Sequence, residues 1–181
     1  ASDPHYSPAG EGETITEKDL LLIDLWGAFD GAVFADQTWM GCLGGVIDSR
    51  TREIWSAVRD ARDSAVAFLS ERFEAGGEVR GYEVDQVART LIADRGYGEY
   101  FVHRTGHSMD IDLHGSGPNL DNLETKDDRL LLPGIGFSVE PGIYIPNEIG
   151  IRSEINVYWG PEGPEVTPRD IQQEIFLLMD V

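Results

Sequence analysis

The chain of 181 residues has one cysteine, four histidines, and 14 lysines and arginines against 33 aspartates and glutamates. Each scarcity excludes something. A single Cys42 closes no internal disulfide and fits a reducing, cytoplasmic setting. The formal charge of −19, with no basic stripe or arginine cluster, removes nucleic acid and anionic membrane surfaces as partners. No apolar run approaches the roughly 20 residues that span a bilayer, and the opening segment "ASDPHYSPAGEGE" lacks the charged and apolar regions of a signal peptide. What remains is 41% apolar residues, the content of an ordinary globular domain, most simply one domain over residues 1–181.

The apolar pattern divides the rest. "DLLLIDLWGAF" and "GAVFADQTWMG" read as two strands turning at Asp30-Gly31. From Arg50 to about Ala75, Ile54, Trp55, Val58, Ala61, Ala65, Val66, Leu69 and Phe73 recur at three- and four-residue steps, which predicts an amphipathic helix stopped by Gly76-Gly77. Val84, Val87, Ala88, Leu91 and Ile92 predict a second helix ending at Gly96. A polar loop from Gly115 to Arg129 follows, then the strand-like "GFSVEPGIYI", "GIRSEINVYW" and "QEIFLLMD". Strands, two helices and further strands make an α+β arrangement, with an antiparallel sheet covered by helices on one face.

Four carboxylates interrupt apolar strands: Asp24, Asp36, Glu140 and Glu154. Any one of them could be a structural ion pair or face water, but Arg152 is the only arginine within two residues of any of the four. A buried charge without a partner is very costly, and a cation removes that cost. The acids flank two predicted hairpins, so opposite arms can bring them together, and four carboxylates balance two divalent ions charge for charge. Three of the four histidines sit in "HRTGHSMDIDLHG". His107, directly after Gly106, is the candidate nitrogen ligand; His103 and His114 are candidates to face a substrate. Gly106 inside "HRTGH", and the absence of a glutamate after the first histidine, argue against a zinc-binding helix.

The segments "PHYSP", "LLIDLWGAFDG", "FADQT", "HRTGHSMDIDLHG", "FSVEPGIYI" and "GIRSEI" resemble, in order and over nearly the whole chain, the pita-bread metallopeptidases, nearest the Xaa-Pro dipeptidase and aminopeptidase P branch. The resemblance implies a pita-bread fold and five ligands to two divalent ions (manganese, cobalt or zinc): Asp24, Asp36, His107, Glu140 and Glu154. It implies a shared water of lowered pKa attacking a peptide carbonyl, Glu140 moving the proton, and His114 or His103 stabilising the oxyanion. His5, His103 and His114 would line the peptide pocket, with Arg152 and Thr38 supporting the ligands. The family's catalytic domain usually begins with further helices and follows an N-terminal domain that forms homodimers. The chain is therefore expected to be the C-terminal part of a longer protein.

Two departures from the family pattern bear on the site. The aspartates are 12 positions apart, one more than in many relatives, so an extra residue or a bulge is expected to be absorbed near Asp30-Gly31; and Trp39-Met40 stand where Arg-Thr is common, which bears on pocket shape. Competing functions are a non-catalytic peptide-binding module of the same fold, a methionine aminopeptidase, and a metal-independent creatinase-like hydrolase.

Overall fold

The computed structural model describes residues 2–4, 14–17 and 19–178. The elements run β1 (Leu20–Gly27), β2 (Ala35–Cys42), α1 (Ser49–Glu74), α2 (Gly81–Asp94), a 3-10 turn (Gly98–Tyr100), β3 (Ser108–Met109), β4 (Ile135–Val139), β5 (Gly142–Ile145), β6 (Ile149–Arg152), β7 (Ile155–Gly160), β8 (Gly163–Thr167) and β9 (Phe176–Leu177). This is the expected α+β class, but the strands form three sheets rather than one: β1-β2-β9, β3-β4-β7-β8 and β5-β6. Within the described part of "QEIFLLMD", residues 173–178, the strand is Phe176–Leu177, and it runs parallel to β2. The composition gave no sign of β8, whose "GPEVT" is short and opens on Gly-Pro.

The helices form where the periodicity places them. Asp48 caps α1 by accepting the Thr51 N–H at 2.9 Å, and Gly76, at φ 66°, closes it beyond Ala75. Ile54, Val58, Ala61, Ala65 and Leu69 line its buried face and join two core clusters, one beside β5 and β6 and the other beneath β4 and β7. Glu83 accepts the Arg80 N–H at 2.8 Å and starts α2.

Two hairpins carry the acids. β1 and β2 pair without interruption from Leu20↔Cys42 to Gly27↔Ala35, so no bulge forms. The loop between them, in which Gly31 takes φ 74°, absorbs the length. Asp24 pairs with Thr38 and Trp26 with Asp36, which sets the two aspartates diagonally on one face. The second hairpin breaks at Glu140-Pro141 and Ser153-Glu154. Because Val139↔Ile155 and Gly142↔Arg152 keep one register across the break, the two glutamates stand opposite each other there. The hairpins are tied together where the Glu154 N–H donates to the Thr38 carbonyl at 3.2 Å and the Asp36 N–H donates to Asn156 Oδ1 at 3.1 Å.

Candidate metal centre

His107 reaches these acids from a third direction. Its loop is held by α2, where Asp85 accepts the Thr105 N–H and hydroxyl, each at 2.8 Å, while Arg89 donates to the carbonyls of Phe101 and His103. Gly106 fits against β4 so tightly that a Cβ would lie 1.9 Å from the Ser138 carbonyl oxygen, so only glycine allows His107 to approach. The His107 N–H donates to Ser138 Oγ at 3.0 Å, and its Nδ1 donates to the Ser108 carbonyl at 3.1 Å. That second bond leaves Nε2 as the lone-pair nitrogen, turned toward Asp36 Oδ2 at 3.5 Å and Glu140 Oε1 at 3.6 Å.

Asp36, His107 and Glu154 each offer a ligand atom, all within 4.8 Å of one another, and all three are buried. Glu140 adjoins them with Oε1 bonded by the Ser138 hydroxyl at 3.0 Å and Oε2 4.0 Å from Arg152. Asp24 stands at the edge, hydrogen-bonded by Arg152 Nη2. Arg152 also donates through Nε to Thr38 Oγ1 at 2.8 Å, and the Thr38 hydroxyl donates a hydrogen bond to Glu154 Oε2 at 2.7 Å. The two supports named from the sequence thus form one chain behind the acids. His114 packs edge-on against His107, with ring centroids 4.4 Å apart. His103 lies farther along, its Nε2 accepting from the Tyr144 hydroxyl at 3.0 Å. All of these except Thr38, Ser138 and Tyr144 line a cavity of about 370 Å³, together with Trp26, Arg104, Leu113 and Glu124. His5 lies outside the described residues. Trp39 and Met40 do not line the cavity: Trp39 stacks on Phe176 at 5.4 Å, and Met40 is buried in the core.

Charge in this cavity is out of balance. Five carboxylates and two guanidiniums line it, and among the described residues buried Asp36 Oδ1 and Glu154 Oε1 have no hydrogen-bond partner. Burial, and then the charges of Glu140 and Asp36, push the Glu154 carboxyl up to about 9. Glu140 is raised as well, by burial above all. Burial works against a charged His107, but the hydrogen bond its protonated form can give to Asp36 and the charge of Glu140 prevail and raise it. His114 is lowered, by burial first and then by the charges of His107 and Arg104. The group that fits is a divalent cation: the donor set is imidazole nitrogen plus carboxylate oxygen, and the two orphaned oxygens are the atoms a cation would satisfy.

Ser138, Asn156 and Tyr144 support the site and were not singled out from the sequence. The first two left a trace there, as polar residues two positions from Glu140 and Glu154 in otherwise apolar strands. Tyr144 left none, because a tyrosine in "GIYI" is ordinary strand composition.

Two carboxylate hairpins and a looped histidine, set before a helix pair, define the metallopeptidase class of site. The family model of metallopeptidase family M24 matches residues 1–160, and the chain belongs to that family. It is 34% identical over 154 residues to the Xaa-Pro dipeptidase of Lactobacillus delbrueckii subsp. lactis, covering 85% of this chain and 38% of the relative. The solved Xaa-Pro dipeptidase from Bacillus anthracis superposes with a TM-score of 0.83 at 30% identity, over 98% of this chain and 46% of that one. The X-Pro aminopeptidase from Thermotoga maritima MSB8 gives a TM-score of 0.83 at 27% identity, again over 98% and 46%. The chain therefore spans less than half the length of these relatives. The expected pita-bread relationship holds.

Proposed function

We propose that this chain carries the catalytic centre of a dinuclear metallopeptidase that cleaves peptide bonds preceding proline, as an Xaa-Pro dipeptidase or aminopeptidase. The observation that carries the reading is the convergence of Asp36, His107 and Glu154 with two buried carboxylate oxygens left unsatisfied. Asp24, Asp36, His107, Glu140 and Glu154 would hold two divalent ions, of manganese, cobalt or zinc. When bound, such ions polarise a carbonyl and lower the pKa of water toward neutrality.

The chain's own groups supply the rest. Glu140 takes the proton from the attacking water and delivers it to the leaving amine, with Ser138 fixing one of its oxygens and Arg152 near the other. His114, at the cavity wall against His107, is placed to donate to the developing oxyanion. His103 shapes the pocket beside it, and His5 is assigned to the same wall by the family resemblance. Arg152 and Thr38 hold Asp24 and Glu154 in place, so their removal should loosen metal before it alters chemistry. A non-catalytic binding module has no use for the unsatisfied oxygens, which weighs against that alternative.

The test is hydrolysis by the manganese-loaded protein of an Xaa-Pro dipeptide, a longer Xaa-Pro peptide and a Met-peptide, with and without chelator. Cleavage of the proline substrates that chelator abolishes, and a fall in kcat of about 10²- to 10⁴-fold in Glu140→Gln, are expected. Activity that survives thorough metal removal, or a preference for the Met-peptide, overturns the reading.

A further inference from the structure

Arg62 is a fully buried cation that lies outside the cavity and has no part in the chemistry described above. It sits in the middle of α1, on the face that otherwise carries Ile54, Val58, Ala61, Ala65 and Leu69. An apolar residue is what such a face ordinarily holds. Burial pushes the guanidinium below its ordinary pKa, against the pull of Asp63.

Its donors show what the charge does there. Nε and Nη2 reach the half-exposed Asp63 at 2.8 and 2.7 Å, while Nη1 donates twice, to Ser153 Oγ at 2.7 Å and to the Gln172 carbonyl at 2.9 Å. Both acceptors belong to the seam between the two carboxylate hairpins. Ser153 stands at the break of the second hairpin, between Arg152 and Glu154; these neighbours line the cavity, whereas its hydroxyl meets α1. Gln172 is buried, and its side-chain amide takes both backbone groups of Met40, accepting the N–H at 2.8 Å and donating to the carbonyl at 2.6 Å. Three alternate residues of β2 are thereby tied: Asp36 to the Asn156 amide, Thr38 to the Glu154 N–H and Met40 to the Gln172 amide. Arg62 bonds both sides of this seam from α1, Ser153 directly and β2 through Gln172.

We propose that Arg62 is a positioning residue: it holds the glutamate hairpin against β2 and so keeps Glu154 at the separation from Asp36 that a cation requires. This rests on the cation site of the preceding section. A metal tolerates ligand distances within only about 0.2 Å, so a seam that slackens by a fraction of an ångström weakens the site while every ligand remains present. A guanidinium suits the task because the two N–H groups of one nitrogen lie in a fixed plane and set the angle between their acceptors. A lysine ammonium, which rotates, does not.

The experiment uses the full chain as wild type, Arg62→Met, Arg62→Lys, Ser153→Ala and Leu69→Ala, the last a buried apolar position of the same helix. It reads amide exchange at Met40 and Glu154 in chelator, manganese affinity by calorimetry, urea stability, and kcat at saturating manganese. In Arg62→Met, exchange at the two seam amides should quicken by about tenfold or more relative to Phe137 and Val157 in the sheet core. Manganese affinity should fall about tenfold, the lower end of what loss of a ligand's support costs, with kcat at saturating metal changed far less. Ser153→Ala should lose part of that affinity, the losses should not add in the double variant, and Arg62→Lys should recover part. Leu69→Ala should lose stability with seam exchange and affinity intact. Unchanged affinity in Arg62→Met, or an equal fall in Leu69→Ala, assigns Arg62 to stability alone and overturns the proposal. Should Arg62→Met not fold, Ser153→Ala decides, and wild-type affinity and exchange in it overturn the proposal. Selective quickening at the seam in Arg62→Met, when wild type neither binds manganese nor cleaves peptide, sustains the clamp and sinks the metallopeptidase reading.

Discussion

Asp85 and Glu154 are both buried, yet Asp85 accepts four hydrogen bonds, two from Arg89 and two from Thr105, while Glu154 accepts one, from Thr38. The contrast extends to their neighbours. Asp127 takes both prongs of Arg129 and the Asn119 N–H, and Asp121 closes its loop on the N–H groups of Leu123, Glu124 and Thr125. Asp36 and Glu154 instead keep one orphaned oxygen each. One group of acids is finished by the protein itself and holds the loop that carries His107. The other is left incomplete at the point where the loop and the hairpins meet. Burial costs both groups alike, so the difference lies in what was built to compensate it: arginine and amide in one, a place for a cation in the other.

The two groups should therefore respond oppositely to mutation and to metal. Asp85→Ala leaves Arg89 without its buried acid and frees the Thr105 N–H, and should cost about 3–5 kcal/mol. Urea unfolding should show this loss already in chelator, because the network is complete without a cation, and at least as large a loss with manganese, because the same network holds the loop that carries His107. Asp36→Asn removes one of the crowded carboxylates, so the metal-free protein should be no less stable than wild type. What it loses is the metal's contribution, about 2.7 kcal/mol at a hundred times the dissociation constant. A thermal shift with added manganese, large in wild type and near zero in Asp36→Asn, checks this. An equal shift in both proteins would mean that the metal binds elsewhere.

Acidity separates the groups as well. Below about pH 4.5 Glu154 is protonated whether the chain is folded or unfolded; between there and about 9 the folded, metal-free protein holds a proton that the unfolded chain has released. Metal-free stability should therefore fall as pH rises through that window, with a slope of at most about 1.4 kcal/mol per pH unit. Glu154→Gln should flatten it. Asp127 has the opposite sign. Burial acts to raise it, but the Arg129 bonds and the Asn119 amide outweigh burial and hold it below its ordinary 3.8. Its contribution is complete above 3.8 and is lost as pH drops below that value, and Asp127→Asn should remove only this acid-side loss. Denaturant midpoints across pH in chelator would separate the two limbs.

Much of this was legible in the chain because periodicity and charge placement are local. The three- and four-residue steps from Ile54 to Phe73 give α1 within a residue at each end, since nothing in that stretch competes with a helix. Glu140 and Glu154 stood out as acids in apolar strands, and the break in the hairpin is where they fall. Partnerships across long stretches of sequence left less trace. Asp24 and Arg152 are 128 positions apart, so Arg152 read from the sequence as a neighbour of Glu154 and turned out to serve Asp24 as well. Strand β9 is shorter than the apolar run suggests, since among residues 173–178 the ladder consists of Gly41↔Phe176 and Cys42↔Leu177.

The smallest expected effect tests the seam between the two groups. Thr38 belongs to neither: its hydroxyl accepts from Arg152, at 2.8 Å, and donates to Glu154, at 2.7 Å. Thr38→Val keeps the shape and removes both bonds, and should cost about 1–2 kcal/mol, since Arg152 retains Asp24 as a partner. In the metal-free protein Glu154 would be further unsatisfied, so its carboxyl should hold a proton more firmly and give it up less readily to an incoming cation. Manganese affinity should drop about 10- to 100-fold, with kcat at saturating metal changed far less. Isothermal titration with manganese beside kcat measured at excess metal distinguishes this from direct damage to catalysis. A loss of kcat with affinity intact would move Thr38 from supporting the ligands to touching the substrate.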